Sequence, residues 1–328
     1  MKNLLIFSFI ILIFIPSCSK NENTIDPYAN MSDTAKSFLN EVLDVMEFYS
    51  FYRHDINWKD LRKMVFDSVS GAQTIDDTYI GVFYALKYLR DNYNDNHSHF
   101  ITPNGSVLRV MSISCGGMAT KPPSLTDIGY ILVPSYVLTG NDEDTKFATG
   151  IQDQIRLQDN SDIIGWIVDL RGNGGGNMYP MLAGIGPLLG EGTSGYFVDP
   201  DNRIDSFGYS GGVSLYDNFP LCQVTDPYVP INQNIKIAIL MDNGTASAGE
   251  EIVISFAGLE NARSFGASTC GLTIGNSRFN LSNNSALILA TSCSADRNLN
   301  KYSSFLNPDV AATRTNIFDL AIAWINSE

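Results

Sequence analysis

The chain has 328 residues, 44% of them hydrophobic, with 15 Tyr and 18 Phe, enough to bury a sizeable core in one large domain or two smaller ones. A formal charge of −14 argues against nucleic acid as a partner, because phosphate recognition needs clustered Lys and Arg. The three histidines, His54, His97 and His99, form no metal-spaced cluster with the cysteines, so neither a metal nor a cofactor is expected.

The first segment reads as an address. Lys2 precedes an apolar run from Leu4 to Ile15, too short to span a bilayer and suited to the central region of a signal peptide. It ends in Ile15-Pro-Ser-Cys18, which resembles the bacterial lipoprotein box. The expectation is a signal peptide over 1–17, lipidation of Cys18, a polar tether over 18–30, and a place in the bacterial cell envelope. Export makes disulfides possible for Cys115, Cys222, Cys270 and Cys293; three full pairings and free buried thiols all remain open.

Next comes a small helical unit over 31–98. Ser32 to Tyr52 opens on a Ser-Asp-Thr capping signal, with Phe38, Val42, Val45 and Met46 at helical spacing. Trp58 to Val69 and Asp76 to Tyr93 predict two more helices, followed by the polar turn Asp95-Asn-His-Ser-His99.

From residue 99 the pattern changes to alternating strands and helices. Strands are expected at Gly129–Leu138, Ile163–Leu170 and Ile235–Met241, and helices at Asp144–Gln158, Tyr179–Leu189 and Glu251–Leu259. Ser264 to Ala312 reads as strands and turns, closed by a helix from Asn316 to Asn326. This rhythm predicts a layered α/β core over 99–328.

Two strand-to-helix turns carry the chemistry. Asn243-Gly-Thr-Ala-Ser-Ala-Gly-Glu250 delivers Ser247 to a helix N-terminus, where free N–H groups and the helix dipole stabilise negative charge. The same letters, Ser247-x-x-Glu250, also spell a capping box with no chemical role. Arg171-Gly-Asn-Gly-Gly-Gly176 offers a glycine-rich backbone that fits neither the dinucleotide fingerprint nor the phosphate loop. It reads either as a tight loop or as part of an oxyanion hole.

Asp169-Leu-Arg171-Gly-Asn173-Gly-Gly-Gly176 resembles the D-L-R-x-N-x-G-G signature of the S41 peptidases, the tail-specific or C-terminal-processing proteases. Thr245-Ala-Ser247-Ala-Gly-Glu250 is similar to that family's S-A-x-E motif, and Asn307-Pro-Asp-Val310 to its P-D-(I/V). Phe265-Gly-Ala-Ser-Thr269-Cys-Gly271 resembles its G-E-x-T-x-G segment, with Ala267 in place of the glutamate. The resemblance implies a ClpP/crotonase-like layered β/α core, Ser247 as nucleophile, and the N–H groups of Ala248 and Gly175 as oxyanion hole. Where the processing-protease branch carries its lysine base, this chain has Leu272, so a Ser–Lys dyad is not expected. Asp95-Asn-His97-Ser98 instead resembles the D-x-H-S/T motif of the tricorn-core branch, which implies His97 as general base. That branch takes a glutamate shortly before P-D; no glutamate lies between Glu260 and Glu328, and Asp296 is the nearest acid for the third place. Only His99 to Asp127 separates the helical unit from the core, too short for the PDZ domain of many relatives. The fork of donors on Arg171 is expected to hold its turn.

The sequence thus supports a lipid-anchored serine endopeptidase acting on peptides or proteins through an acyl-enzyme on Ser247. The competing expectation is a catalytically weak or inactive binding lipoprotein of the same fold, capturing peptide, lipid or glycan.

Overall fold

The structure, a computed structural model, describes residues 27–138 and 140–327. The expected signal peptide over 1–17, Cys18 and most of the tether lie outside the described residues.

Three helices open the described chain: α1 (Asp33–Tyr49), α2 (Trp58–Ser68) and, after a 3-10 turn at Asp76–Thr78, α3 (Tyr79–Tyr93). Ser32 caps α1 by accepting from Ala35 N–H at 3.1 Å, and Asn57 caps α2 through Asp60 N–H. The apolar stripes of these helices face one another and bury Phe38, Leu39, Leu43, Leu61, Val65 and Leu86.

The chain then forms β1 (His99–Ile101) and β2 (Val107–Arg109), a hairpin. After it come β3 (Ile128–Leu132), α4 (Asn141–Gln158), β4 (Gly165–Asp169) and α5 (Met178–Leu189). Four antiparallel strands follow: β5 (Gly192–Val198), β6 (Ile204–Ser210), β7 (Val213–Tyr216) and β8 (Phe219–Gln223). The final third holds β9 (Lys236–Met241), α6 (Ala248–Phe256), β10 (Ala262–Gly266), β11 (Ile274–Asn280), β12 (Ala286–Asp296), β13 (Lys301–Tyr302), β14 (Val310–Ala311) and α7 (Ile317–Ile325).

These strands build two sheets. Five parallel strands run in the order β14-β10-β9-β4-β3, and nine antiparallel strands gather around β12 and β5. The parallel strands are buried on both faces, as crossover helices require. Side chains alternate along them: Ile167, Ala238 and Leu240 meet α7, while Trp166, Val168, Ile237 and Ile239 face α5 and α6. Helix α6 lies between the sheets, touching β9 and β10 on one side and β5 and β12 on the other. The result is the layered α/β architecture expected from the strand–helix rhythm.

Local chemistry moved several element ends. The strand expected to reach Leu138 stops at Leu132, because Pro134 cannot donate to the ladder; Tyr136 rejoins through an isolated bridge to Gly176. Helix α6 starts at Ala248 rather than Glu251, directly behind Ser247, and ends at Phe256, ahead of Gly258 with φ +82°. The antiparallel strands β5 to β8 carry too many polar and glycine positions to stand out in the sequence.

The helical unit is built into the antiparallel sheet. Phe100 of β1, fully buried, packs with Leu287 and Leu289 of β12 and meets Phe38 edge-on and Tyr79 at a tilt, with ring centroids 6.4 and 5.2 Å away. Because β1 begins two residues after His97, this packing also fixes where the imidazole sits. Phe100→Ala is expected to lower the unfolding free energy by about 3–5 kcal/mol in denaturant titration; a loss below about 1 kcal/mol would show that the unit is only loosely docked.

Candidate active site

The two turns seen in the sequence meet at the C-terminal ends of β4 and β9, where open α/β sheets place their sites. Asn173 joins them: its carbonyl accepts from Ala246 N–H at 2.9 Å, and its side chain donates to Val133 O at 2.9 Å. Thr245 Oγ1 donates to Leu170 O at 2.9 Å, a second tie between the turns. Arg171 holds the base of the glycine turn with a fork on Asp169, Nε to Oδ1 at 2.9 Å and NH2 to Oδ2 at 2.6 Å, and its guanidinium lies over the Phe318 ring.

Ser247 sits at φ +53°, ψ −123°, a backbone state that non-glycine residues rarely adopt. Glu250 Oε2 accepts from Ser247 N–H at 2.8 Å, the carboxylate half of a capping box, and the serine hydroxyl lies 3.0 Å from His97 Nε2. Cap and contact with histidine therefore coexist in one residue.

His97 arrives from the opposite side. α3 ends on Asn94 in the left-handed region, and Asp95 then builds the turn: Oδ1 accepts from His97 and Ser98 N–H, both at 2.9 Å, and Oδ2 from Ser98 Oγ at 2.5 Å. The His97 ring donates Nδ1–H to the carbonyl of Ile274 at 2.8 Å. A carbonyl accepts only, so the neutral ring carries its proton on Nδ1 and presents a bare Nε2 to the serine hydroxyl. Dense packing around the ring pushes its pKa down to about 4, with the Ile274 carbonyl and Asp95 acting in the opposite direction.

The third place is thus filled by a backbone carbonyl, and the expectation for Asp296 is corrected. Its carboxylate folds the turn after β12, accepting from Asn298 N–H (2.8 Å), Asn300 N–H (3.0 Å), Asn300 Nδ2 (2.9 Å) and Tyr302 Oη (3.0 Å). It lines a different cleft from Ser247 and His97. Leu272, at the position of the absent lysine, is buried and lines the Ser247 cleft.

Gly175 also needs correction. Its N–H donates to Asn173 Oδ1 at 2.9 Å and is not free for an oxyanion. What Gly175 supplies is close approach: a Cβ there would fall 2.8 Å from both Ala246 O and Ser247 Cβ. The adjacent Gly176 lines the cleft. Its bridge to Tyr136 uses Gly175 O and Asn177 N–H, so the N–H of Gly176 itself points to the opposite edge and has no partner among the described residues. Ala248 N–H, the first of α6, is likewise unpaired among the described residues. Ala248 and Gly176 thus both line the cleft and both carry an N–H without a partner among the described residues.

Two further features depend on partners distant in the chain. Glu250, fully buried, accepts from Ser247 N–H, Gly271 N–H and Leu272 N–H, each at 2.8 Å, and from the Thr269 hydroxyl. Burial raises its pKa while these four donors pull it back. Of the open cysteine pairings, Cys115–Cys270 forms, and Cys222 and Cys293 are free and buried. The disulfide clamps the 110–120 segment over the nucleophile turn, beside Ala246 and Leu272.

The cleft encloses about 1130 Å³, more than the roughly 300–1,000 Å³ typical of small-molecule pockets. Phe48 and Tyr49 of the helical unit line it, 69% and 44% exposed, so the helical unit, the antiparallel sheet and the two strand-to-helix turns contribute walls. No described helix is long and apolar enough to cross a membrane.

Two outcomes follow from this geometry. Labelling of Ser247 by a fluorophosphonate needs the neutral imidazole, so its rate should stay level as pH falls through 6.5 and drop only toward pH 4 to 5; a midpoint at 6.5 or above would contradict the burial of His97. Gly175→Ala, at φ +94°, should destabilise the protein by at least about 1–3 kcal/mol and suppress labelling at any pH; unchanged labelling would show that the close approach is dispensable.

Comparison with known proteins agrees with this architecture. The chain is 26% identical over 299 residues to the nisin-resistance protein of Lactococcus lactis subsp. lactis, covering 89% of this chain and 87% of that protein. Its fold matches a lipoprotein from Streptococcus agalactiae with a TM-score of 0.69 at 21% identity, over 90% of this chain and 96% of the other. It also matches the photosystem II D1 C-terminal processing protease, with a TM-score of 0.56 at 12% identity, over 86% and 94% of the two chains. The profile of Peptidase family S41 matches residues 127–311, more than half of the sequence, and the chain belongs to that family.

Proposed function

We propose that the protein is a serine endopeptidase that hydrolyses peptide bonds through an acyl-enzyme on Ser247, with His97 as general base. The observation that carries this reading is the 3.0 Å contact between Ser247 Oγ and a bare His97 Nε2, beside two unpaired backbone N–H groups. His97 Nε2 takes the hydroxyl proton as Oγ attacks the scissile carbonyl. The developing oxyanion receives N–H donors from Ala248, at the positive end of α6, and from Gly176, two residues before α5. The imidazolium is steadied by Nδ1–H donation to Ile274 O, then returns its proton to the leaving amine. A water activated by the same nitrogen releases the acyl group.

A backbone carbonyl carries a partial charge where a carboxylate carries a full one, so it fixes the tautomer but stabilises the imidazolium less. This favours a modest turnover number, and it is the one observation that supports the alternative of a binding lipoprotein with little catalysis. Anchoring rests on Ile15-Pro-Ser-Cys18: cleavage before Cys18 and lipidation of its thiol would hold the cleft at the bacterial envelope through the 18–30 tether.

Ser247→Ala is expected to abolish peptide hydrolysis and probe labelling, and His97→Ala to lower kcat by at least about 10³-fold with KM little changed. Both are checked with an unstructured fluorogenic peptide library and intact-mass analysis. Retained hydrolysis in Ser247→Ala would overturn the nucleophile; peptide binding without hydrolysis by the native chain would favour the binding reading.

A further inference from the structure

Glu251 has no part in the mechanism above, yet it lines the same cleft as Ser247. It stands one turn along α6, its N–H donating to Ser247 O at 3.0 Å. Ser247, the cap of α6, and Glu251, in its first turn, both line the cleft. Glu251 is only 5% exposed; Oε1 contacts Ser294 Oγ at 2.5 Å, and Oε2 is buried without a partner among the described residues. Ser294 has one hydroxyl proton but faces two oxygens, Glu251 Oε1 and Thr273 O at 2.7 Å. Both contacts are satisfied when Glu251 carries the proton, and burial beside Glu250 does push its pKa up to about 8.

The neighbours of this carboxyl define what would suit it. Tyr179 lines the same cleft, and the acidic groups near its ring are Glu251, Asp205 and Asp217. Tyr216 donates to Asp205 Oδ2 at 2.6 Å. Arg53, elsewhere on the cleft wall, is already matched by Asp199 and Asp201. Met178, Tyr179 and Phe197 add apolar surface to the same wall. An apolar substrate side chain would leave Oε2 unpaired, and an acidic one would add like charge. A long cationic side chain lays its methylenes along the apolar wall and brings both a donor and the missing counter-charge.

Resting on the peptidase reading above, we propose that Glu251 is the specificity-determining residue of a subsite that takes a lysine or arginine side chain adjoining the scissile bond. The incoming cation replaces the carboxyl proton as the partner of the buried oxygens.

The test uses fluorescent peptides identical except for Lys, Arg, norleucine or Glu at one position, with cleavage sites mapped by mass spectrometry. The native chain should cleave the Lys and Arg peptides with kcat/KM about tenfold or more above norleucine, and Glu251→Gln should bring that ratio to within about twofold of unity. A merely structural role would lower all four values together and leave the ratio intact. The same peptides are measured by anisotropy on Ser247→Ala, with and without Glu251→Gln, to read recognition without turnover. No basic preference in the native chain, or a ratio that survives Glu251→Gln, overturns the proposal. Glu251-dependent binding of basic peptides with no cleavage by the native chain upholds the subsite and removes the peptidase reading; cleavage without basic preference does the reverse.

Discussion

The Glu250 carboxylate closes a ring on which the rest of the site depends. It accepts from Ser247 N–H on one side and from Gly271 and Leu272 N–H on the other. Two residues beyond Leu272, Ile274 O receives the His97 Nδ1–H, and His97 Nε2 returns to Ser247 Oγ. Serine, carboxylate, loop and imidazole thus hold one another across 150 residues of sequence. Burying a carboxylate this deeply is unfavourable unless its lone pairs are filled, and four donors fill them. The strained φ of Ser247 persists because this ring and the Asn173 junction over-determine it. Cys115–Cys270 adds a covalent tie to the same loop, one residue from Gly271.

Several of these parts are legible in the sequence because they are side chains in short motifs. Ser247, Glu250 and Asp95-Asn-His97-Ser98 can be read directly, and Leu272 removes the lysine alternative. The parallel strands stand out because burial on both faces makes Trp166 to Leu170 and Lys236 to Met241 almost continuously apolar. What stays hidden is supplied by the backbone. The carbonyl of Ile274 and the N–H of Gly176 belong to atoms that every residue has, so no letter marks them. A search limited to acidic side chains stops at Asp296, whose lone pairs are spent on its own turn. Gly175 and Gly176 look alike in sequence; only the bridge to Tyr136 separates the one that packs from the one that donates. The cysteine pairing and the four strands from Gly192 to Gln223 likewise depend on partners distant in the chain.

Replacing a carboxylate by a carbonyl behind the histidine changes the balance of the site rather than its logic. The tautomer is still fixed, and the imidazole is held neutral by its packing, so it is ready to accept a proton over most of the pH range. What is lost is full charge compensation after transfer. In the proposed mechanism, the unpaired N–H groups of Ala248 and Gly176 then carry more of the stabilisation of the charged intermediate. On the proposed reading, such a site suits selective cleavage better than rapid, indiscriminate turnover; the helical unit supplies one wall of the cleft.

Ile274 O holds His97 as the neutral Nδ1–H tautomer, with Nε2 turned bare toward Ser247. Nitrogen-15 NMR of the imidazole at pH 7, in protein labelled at histidine, tests it most directly. The expected spectrum shows a protonated Nδ1 and an unprotonated Nε2 for His97, distinct from exposed His54. A proton on Nε2, or on both ring nitrogens, would contradict it.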